Sequence, residues 1–298
     1  MDWFFKFPDM SRSDLREFKK TVDFAFTDFS RSYGADIESF FDPLLMFLVW
    51  FEKFFINTPW PLIVLGILIL AWIGSRSIPV VIGTFLSFML IGYFGMWEDT
   101  MSTLAIILVA TFLCISIGIP MGIAMARSNK IQALIVPILD VMQTIPSFVY
   151  LIPVVMLLGI GKVPGLIAVC IYAIPPIVRL TNLGIRLVDK DVLEAADSFG
   201  ANYWQKLFGV QMPLALPTIF AGVNQTIMMA LAMVVIASMI GTRGIGDEVL
   251  LGLQQLNVGM ATEAGIAIVL LAIIFDRITQ SYGERMQERV HHTKKKKK

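Results

Sequence analysis

The sequence predicts an all-helical protein that crosses a membrane about seven times. The chain has 298 residues, of which 56% are hydrophobic and only 16% are charged, against about 25% charged in an average soluble domain. Its mean hydropathy is +0.74. Apolar runs long enough to cross about 30 Å of hydrocarbon follow one another along the chain, and a helix satisfies its backbone hydrogen bonds within one segment. An all-α polytopic membrane protein is the fold class that follows.

The spans are predicted from the length of each apolar run. They cover residues 60–74, 78–95, 101–126, 132–159, 164–181, 217–240 and 262–279. Only Ser75, Arg76 and Ser77 separate the first two spans, so these can form one antiparallel pair.

The segment before the first span has apolar side chains but no run that could cross. Residues 1–42 mix acidic and basic residues with repeated phenylalanines, which suits a segment lying at the membrane surface. The run from Pro43 to Ile56 is short and is interrupted by Glu52 and Lys53, so we predict an interfacial helix. The start of the chain lacks the features of a cleaved signal peptide and is expected to be retained.

The charges of the short loops predict the orientation of the chain. Basic residues gather at one set of span ends, which the positive-inside rule places in the cytoplasm. The C-terminus is then cytoplasmic, the N-terminus lies outside, and the basic tail either touches anionic headgroups or stays solvated. These basic residues are Arg76, Arg127, Lys130, Arg186, Lys190, Lys206, Arg277, Arg285, Arg289 and Lys294 to Lys298.

The stretch from Asp191 to Pro217 is the only long polar interruption in the second half of the chain. Two capping boxes are predicted, Asp191 with Glu194 and Asn202 with Gln205. Gly200 can take a left-handed conformation that ends the first helix and turns the chain into the second. Pro213 and Pro217 are expected to stop the second helix and begin the next span. The pattern predicts a helix, a turn and a helix between two spans.

This stretch resembles the cytoplasmic EAA loop of ABC importer permeases. The resemblance rests on Glu194, Ala195 and Ala196, on Gly200 six residues after the glutamate, and on Val210, Met212 and Pro213. Val210 and Met212 stand where the usual pattern has Ile and Leu. The surrounding sequence is similar to permeases for glycine betaine, proline and related compatible solutes. It includes LDVMQTIPSFVYLIPVVMLLGIGKVPG and IYAIPPIVRLTNLGIR.

The resemblance implies a type I ABC importer permease fold in a bacterial inner membrane. It implies a permease homodimer, two separate ATPase subunits that carry ATP and Mg²⁺, and an extracytoplasmic substrate-binding protein. Membrane lipid is the other expected partner, with no nucleic acid and no cofactor on this chain. The residues that would couple to the ATPase are Glu194, Ala195, Ala196, Gly200, Ala201 and Pro213.

The fourth predicted span carries prolines and a polar stripe. Each of its prolines frees a backbone carbonyl, which is tolerated at membrane depth only against protein or a water-filled cavity. We therefore expect this helix to line the translocation path, through Asp140, Gln143, Thr144, Pro146 and Ser147, with the polar members on one face. An equally good alternative is that Asp140 simply bonds to a neighbouring helix.

The next two spans supply further path and hinge candidates. Pro175 and Pro176 are expected to break the fifth span, giving either a hinge that carries ATPase motion or a packing kink. In the sixth span, Asn224, Met233 and Ser238 are path candidates, and Gly241 is a hinge candidate beyond its end. The methionines there form a deformable lining or ordinary helix packing.

Two absences limit the class of function. No GxxxxGK[ST] motif occurs, so ATP binding through a P-loop is not expected. The only histidines, His291 and His292, lie in the basic tail, which argues against a histidine-based triad or metal site. The chain is therefore expected to be a transport subunit and not an enzyme.

Four regions are predicted, and two rival functions remain. The regions are an N-terminal segment (1–58), two accessory spans (59–98), a permease core (99–282) that contains the coupling loop (190–213), and a basic tail (283–298). One rival is a permease of the same class for another amino acid such as methionine. The other is a secondary transporter driven by an ion gradient, which would have paired broken helices in both halves, whereas here the breaks cluster in one half.

Overall fold

A computed structural model describes residues 9–295. Within this range the description of Glu284 and of residues 286–295 is limited to the backbone. The predictions on the first eight residues and on the last three lysines therefore lie outside the described residues. Between residues 9 and 295 the chain forms twelve α-helices and one π-helical turn, with no strand.

The helices follow one another with short connections. They are α1 (Arg12–Asn57), α2 (Trp60–Ser75), α3 (Ile78–Tyr93), α4 (Trp97–Arg127), α5 (Asn129–Thr144), α6 (Ser147–Leu158), α7 (Lys162–Arg186), α8 (Lys190–Ser198), α9 (Tyr203–Lys206), a π-helical turn (Leu207–Gln211), α10 (Met212–Ser238), α11 (Ile245–Gln254) and α12 (Val258–Lys295).

The apolar helices follow the predicted spans in order, but four of them, or six units with the bent pairs, are long enough to cross where seven spans were predicted. The helices α4, α7, α10 (counted from Tyr203) and α12 are each long and apolar enough to cross a membrane. The pairs α1 with α2 and α5 with α6 pass the same test as bent units, and α3 is a shorter apolar helix. All seven predicted spans therefore correspond to apolar helices.

The N-terminal region differs from the prediction of a surface segment followed by a separate interfacial helix. It is one helix of 46 residues that continues through Pro43 and begins at Ser11, whose hydroxyl accepts from the Asp14 amide at 3.2 Å. The chain bends by 106° between α1 and α2. The bend falls at Thr58 and Pro59, because a residue before proline is pushed out of the helical conformation.

The fourth predicted span, residues 132–159, is not one helix. The chain bends by 97° between α5 and α6. Ile145 is extended (φ −65°, ψ 128°) and Pro146 caps the second helix, which is the restriction expected before a proline. Ser147 therefore begins a new helix, and the prediction that it shares one helical face with Asp140 is wrong.

The fifth predicted span shows the opposite behaviour. Pro175 and Pro176 lie inside α7, which continues without interruption from Lys162 to Arg186. Both prolines are buried, and α7 packs most extensively against α10 and α4. This packing holds the helix together across two missing N–H groups, so the expected break is absent.

Glycines let the three core helices α4, α7 and α10 approach closely. A Cβ added at Gly122 of α4 would lie 2.5 Å from Cβ of Thr181 on α7, and one added at Gly222 of α10 would lie 3.2 Å from Cα of Ile177. Small residues at membrane helix contacts allow backbones to pack against each other. The core of the protein is this packed set of helices.

The long helix α1 is attached to the core by polar contacts. Ser30 donates to the Met156 carbonyl of α6 at 2.6 Å. Further along, the buried carboxylate of Glu52 accepts from Ser102 of α4 at 2.9 Å and forms an ion pair with Lys162 at the start of α7. The Glu52 and Lys53 pair that interrupts the apolar run in the sequence thus includes a residue that joins three helices.

We expect Gly122→Ala to destabilise the protein, because the new Cβ would also lie 2.8 Å from the carbonyl oxygen of Val178. Overpacking of this kind costs about 1 to 3 kcal/mol of unfolding free energy. The matched control is Gly265→Ala on α12, where a Cβ meets nothing within 4 Å; loss of a helical glycine should leave stability equal or higher there. Thermal unfolding in detergent measures both, and equal midpoints would contradict the close contact.

Candidate functional site

The polar stretch after α7 forms the predicted helix, turn and helix. Its first helix is α8 and its second is α9, and Gly200 between them has a φ of +74°. The Gly200 amide donates to Asp197 O at 2.9 Å, and the Ala201 amide donates to Ala196 O at 3.1 Å. Gly200 therefore performs the predicted helix termination.

One of the two predicted capping boxes is present. Asn202 accepts from the Gln205 amide at 2.9 Å, and the Gln205 side chain accepts from the Asn202 amide at 2.8 Å. The first cap is Asp189 and not Asp191, since the Asp189 carboxylate accepts from the Asp191 amide at 3.1 Å. An aspartate two residues earlier offers the same acceptor, so the helix begins sooner and Asp191 lies in its first turn.

Pro213 and Pro217 do not stop the second helix as predicted. The chain passes from α9 through the π-helical turn directly into α10, and the Met212 amide donates to Leu207 O across the wide turn. Pro213, which has no N–H to donate, comes directly after this wide turn. A π-helical turn thus replaces the predicted stop and makes residues 203–238 one helical unit.

The surface of this loop combines charge and exposed aromatic rings. Glu194 and Ala195 are exposed, Ala196 is half-buried, and an ion pair of Lys206 with Asp197 at 2.6 Å joins α9 to α8.

The loop also exposes aromatic rings, and Phe199 is 92% exposed. The rings of Trp204 and Phe208 are both exposed and stack at 5.9 Å. Such a patch is typical of a protein contact. The predicted coupling residues did not include Phe199, Trp204 or Phe208, although apolar residues in a polar loop are a sequence signal of an exposed contact.

Part of the predicted path forms one contact region between α5, α6, α7 and α10. The Arg179 guanidinium on α7 donates to the Asp140 carboxylate at 2.6 Å. This is the kind of contact expected if Asp140 simply bonds to a neighbouring helix. The Gln143 amide lies 3.8 Å from Met229 Sδ. The Tyr150 hydroxyl lies 3.8 Å from Sδ of buried Met233. Thr144 and Pro146 are exposed at the bend, and Ser147 is half-buried.

The other two predicted path residues lie elsewhere. Asn224 donates to Asp276 at 2.8 Å and accepts from the Thr279 hydroxyl at 2.5 Å, so its side chain joins α10 to α12. The Ser238 hydroxyl is buried and donates to Val234 O at 2.9 Å within its own helix. Among the described residues, neither side chain hydrogen-bonds to Asp140 or Gln143. The sequence indicated polar residues in a span but not the helix that each of them meets.

The opposite end of the core is closely packed around Gly241. This residue has a φ of +92°, and the preceding Ile240 carbonyl accepts from the Gly161 amide at 2.9 Å. A Cβ on Gly241 would lie 2.7 Å from a methyl group of Ile160. The turn before α11 therefore contacts the turn before α7.

An acidic group lies beside this end, at the beginning of α11. Partial burial raises the pKa of Glu248, and the nearby charges of Asp99 and Asp247 raise the pKa further. The carboxylates thus lie close enough together to oppose one another's ionisation.

The fold is similar to that of a solved ABC transporter chain. A chain of the MetNI methionine ABC transporter, in an inward-facing form, matches with a TM-score of 0.57 and 20% identity, over 62% of this chain and 93% of that chain. A second crystal form matches with a TM-score of 0.55 and 21% identity. This similarity confirms the predicted fold class, an all-α protein resembling type I ABC importer permeases.

Relatives in sequence cover more of the chain. The glycine betaine/proline betaine transport system permease protein ProW of Escherichia coli is 49% identical over 83% of this chain and 70% of its own length. The glycine betaine/carnitine transport permease protein GbuB of Listeria monocytogenes is 46% identical, over 76% of this chain and 81% of its own. A trimethylamine N-oxide transport system permease protein of Pelagibacter ubique is 37% identical, over 76% of this chain and 32% of its own.

The family match covers more than half of the chain. Residues 118–289, from the middle of α4 into α12, match the family described as binding-protein-dependent transport system inner membrane component. This region includes the bent pair α5 and α6, the core helices α7 and α10, and the loop around Gly200. The chain belongs to the family of binding-protein-dependent transport system inner membrane components.

Proposed function

We propose that this chain is the permease subunit of an ATP-driven importer for glycine betaine, proline or a related quaternary amine or methylamine such as choline or trimethylamine N-oxide. The observation that carries the cargo is the 49% identity to a glycine betaine/proline betaine permease across 83% of the chain. The cargo class of the other similar relatives is the same or close to it.

The proposed complex contains two copies of this chain, two ATPase subunits and a soluble binding protein on the outer side. ATP and Mg²⁺ belong to the ATPase subunits, because this sequence has no P-loop motif. The family description supports a binding protein as partner. The dimer and the two-to-two ratio come from the resemblance to ABC importers.

In this proposal the ATPase subunit receives the loop of α8 and α9. Glu194, Ala195, Ala196, Gly200, Ala201 and Pro213 are the coupling residues given by the EAA resemblance. We add Phe199, Trp204 and Phe208, because exposed aromatic side chains are frequent in protein interfaces. The loop can move the core only if the ATPase binds it differently in two states, since equal binding would shift no equilibrium.

The loop has a short mechanical connection to the core at both ends. Three residues, Leu187 to Asp189, separate α8 from α7, and the π-helical turn joins α9 to α10 without a gap. Since α7 and α10 pack extensively against each other, displacement of the loop would be carried into both helices together. This arrangement supports a lever role for the loop.

The proposed path runs along the bent pair α5 and α6. Asp140, Gln143, Thr144, Pro146 and Ser147 would line it with Met233, while Asn224 and Ser238 would support it from within the bundle. Since α7 continues unbroken through Pro175 and Pro176, we propose Gly241 as the hinge position. For Gly241 the support is its positive φ in the turn that meets Gly161.

Orientation and regions complete the proposal. By the positive-inside bias, the loop and the C-terminus face the cytoplasm and the N-terminal segment lies outside. The regions are the extracytoplasmic and interfacial segment (1–58), the accessory spans (59–98), the permease core (99–282) and the basic tail (283–298).

Two alternative functions are tested by the same experiment. One is a permease for another amino acid such as methionine, which shares the fold. The other is a secondary transporter driven by an ion gradient. The two bends, between α1 and α2 and between α5 and α6, both lie before α7. The described residues after α6 hold no second bent pair, and α7 runs unbroken through two prolines.

The proposal predicts uptake of labelled glycine betaine by liposomes that hold this chain with its ATPase, the binding protein outside and ATP inside. Uptake should require both partners and ATP. Uptake by this chain alone under an ion gradient would make it a secondary transporter. ATP turnover without uptake of any quaternary amine would retain the permease but assign it another cargo.

Gly200→Val should abolish uptake and ATPase coupling while the protein still reaches the membrane. A β-branched residue at a φ of +74° is strained, and the left-handed conformation costs about 1 to 2 kcal/mol for residues with a Cβ. Gly200→Asn is the matched control, since asparagine tolerates this conformation.

Glu194→Lys should also uncouple the ATPase by reversing an exposed charge. Normal uptake by both Gly200→Val and Glu194→Lys would remove the docking assignment.

Asp140→Asn should slow uptake while leaving stability nearly unchanged. The Asp140 and Arg179 side chains are 53% and 38% exposed, so their ion pair contributes at most about 1 kcal/mol to folding. Asp140→Glu keeps the charge and should retain more activity. Unchanged transport kinetics together with a clearly lower unfolding temperature would instead assign Asp140 a structural role.

A further inference from the structure

Two adjacent cavities lie between the accessory helices and the core, and the residues that line them do not belong to α5 or α6 of the proposed path. The first, which we call the intramembrane cavity, has a volume of about 710 Å³ and lies between the end of α1 and the helices α2, α4, α10 and α12. The second, the aromatic cleft, has a volume of about 670 Å³ and lies where α1 meets α2 and α3 meets α4. Thr58 and Phe88 line both, so the two spaces are adjacent.

The intramembrane cavity has few hydrogen-bond partners for a water molecule. Its lining is apolar apart from two threonines, Thr58 and Thr279. The Thr58 hydroxyl donates to Phe54 O at 2.5 Å, and the Thr279 hydroxyl donates to Asn224 at 2.5 Å. A buried water needs two to four polar partners, and both hydroxyl protons are already used within the protein. The occupant must therefore be apolar.

The cavity has a mouth as well as a floor. Ile63, Leu104, Ile227 and Leu271 are buried and form its floor, whereas Leu62 and Leu70 at its edge are 59% and 62% exposed. Both edge residues lie on α2, a helix of a membrane span. The phase at the mouth is therefore the hydrocarbon of the bilayer, which consists of acyl chains.

The length of the cavity matches one leaflet. From Leu62 to Leu70 the lining follows α2 for eight residues, which is about 12 Å at 1.5 Å per residue. Half of the hydrocarbon thickness of about 30 Å is about 15 Å. A single acyl chain that enters from one membrane surface would thus fill the cavity along its length.

The aromatic cleft, which adjoins one end of the intramembrane cavity, has the chemistry of a headgroup site. Trp60, Tyr93 and Trp97 line it together with the polar residue Asn57. Tryptophan and tyrosine are enriched at the level of the headgroups. Their rings also attract an ammonium group through cation–π interaction. The aromatic cleft, with its ring faces and Asn57, and the apolar intramembrane cavity together match the two parts of a phospholipid.

We propose that the two cavities form a binding site for one phospholipid, with an acyl chain in the intramembrane cavity and an ammonium headgroup in the aromatic cleft. The lipid fills the space between α2, α3 and the core, where an empty cavity would lose packing contacts. Gly66 leaves the site open, since a Cβ there would meet nothing within 4 Å. The site is independent of the cargo.

The test is labelling by a photoactivatable phospholipid. The chain is reconstituted in liposomes that contain phosphatidylethanolamine with a diazirine on its acyl chain, and the labelled residues are identified by mass spectrometry. The expected result is labelling of the lining residues Leu108 and Ile227. Gly66→Trp should lower that labelling about tenfold, equivalent to about 1.4 kcal/mol, and Trp60→Ala should reduce the preference for phosphatidylethanolamine over phosphatidylglycerol.

The matched control is Gly83→Trp on α3, which also has open space at its Cβ but does not line the cavity; labelling should not change. Gly66→Leu replaces Gly66→Trp if the larger side chain prevents folding. Three results would overturn the proposal: labels confined to exposed residues such as Ile73 and Leu86, cross-links between two copies through the cavity, or displacement of the lipid by glycine betaine. Uptake measured on the same liposomes tests the transport function separately.

Discussion

The packing of α7 between α4 and α10 is the contact on which the rest of the structure depends. Gly122 and Gly222 bring the neighbouring backbones against α7. Because α8 follows α7 and the unit of α9, the π-helical turn and α10 is continuous, the exposed loop is fixed at both ends to this packed pair. A loop held in this way moves with the core and not independently of it. The same packing explains why two consecutive prolines leave α7 intact.

Proline has three different outcomes in this chain, and the difference lies in the surroundings of each residue. At Pro146, between two helices with few buried residues, the chain bends by 97°. At Pro175 and Pro176, buried between helices on both sides, there is no break. At Pro213 a π-helical turn absorbs the missing hydrogen bond. A missing N–H group alone does not break a helix here, because Pro43, Pro120, Pro137 and Pro153 also lie inside continuous helices. The bend at Pro146 occurs where the preceding residue, Ile145, is extended.

These cases show how much the sequence could predict. Apolar length predicted the spans, and local chemistry predicted Gly200 and the Asn202 cap, because these features depend on neighbours in the chain. Asp140 and Asn224 were recognised as polar residues in spans, but their partners, Arg179 and Asp276, lie 39 and 52 residues away. Trp204 and Phe208 stand out in the sequence as apolar residues in a polar loop, but only the structure shows that their rings are exposed and stacked. Local sequence patterns therefore predicted the loop and the spans. The path residues could not be predicted as well, because their partners are distant in the sequence.

Glu52 has a consequence for the synthesis of the protein. Its carboxylate is buried against Ser102 and Lys162, and Lys162 follows it by 110 residues. A ribosome that adds about 5 to 20 residues per second needs about 5 to 20 s to supply that lysine. Until then the end of α1 holds an acidic group without its basic partner, and burying such a charge alone is costly. The buried contact at the end of α1 can therefore form only after the start of α7 has been made, and the helices α2 to α6 are made in between.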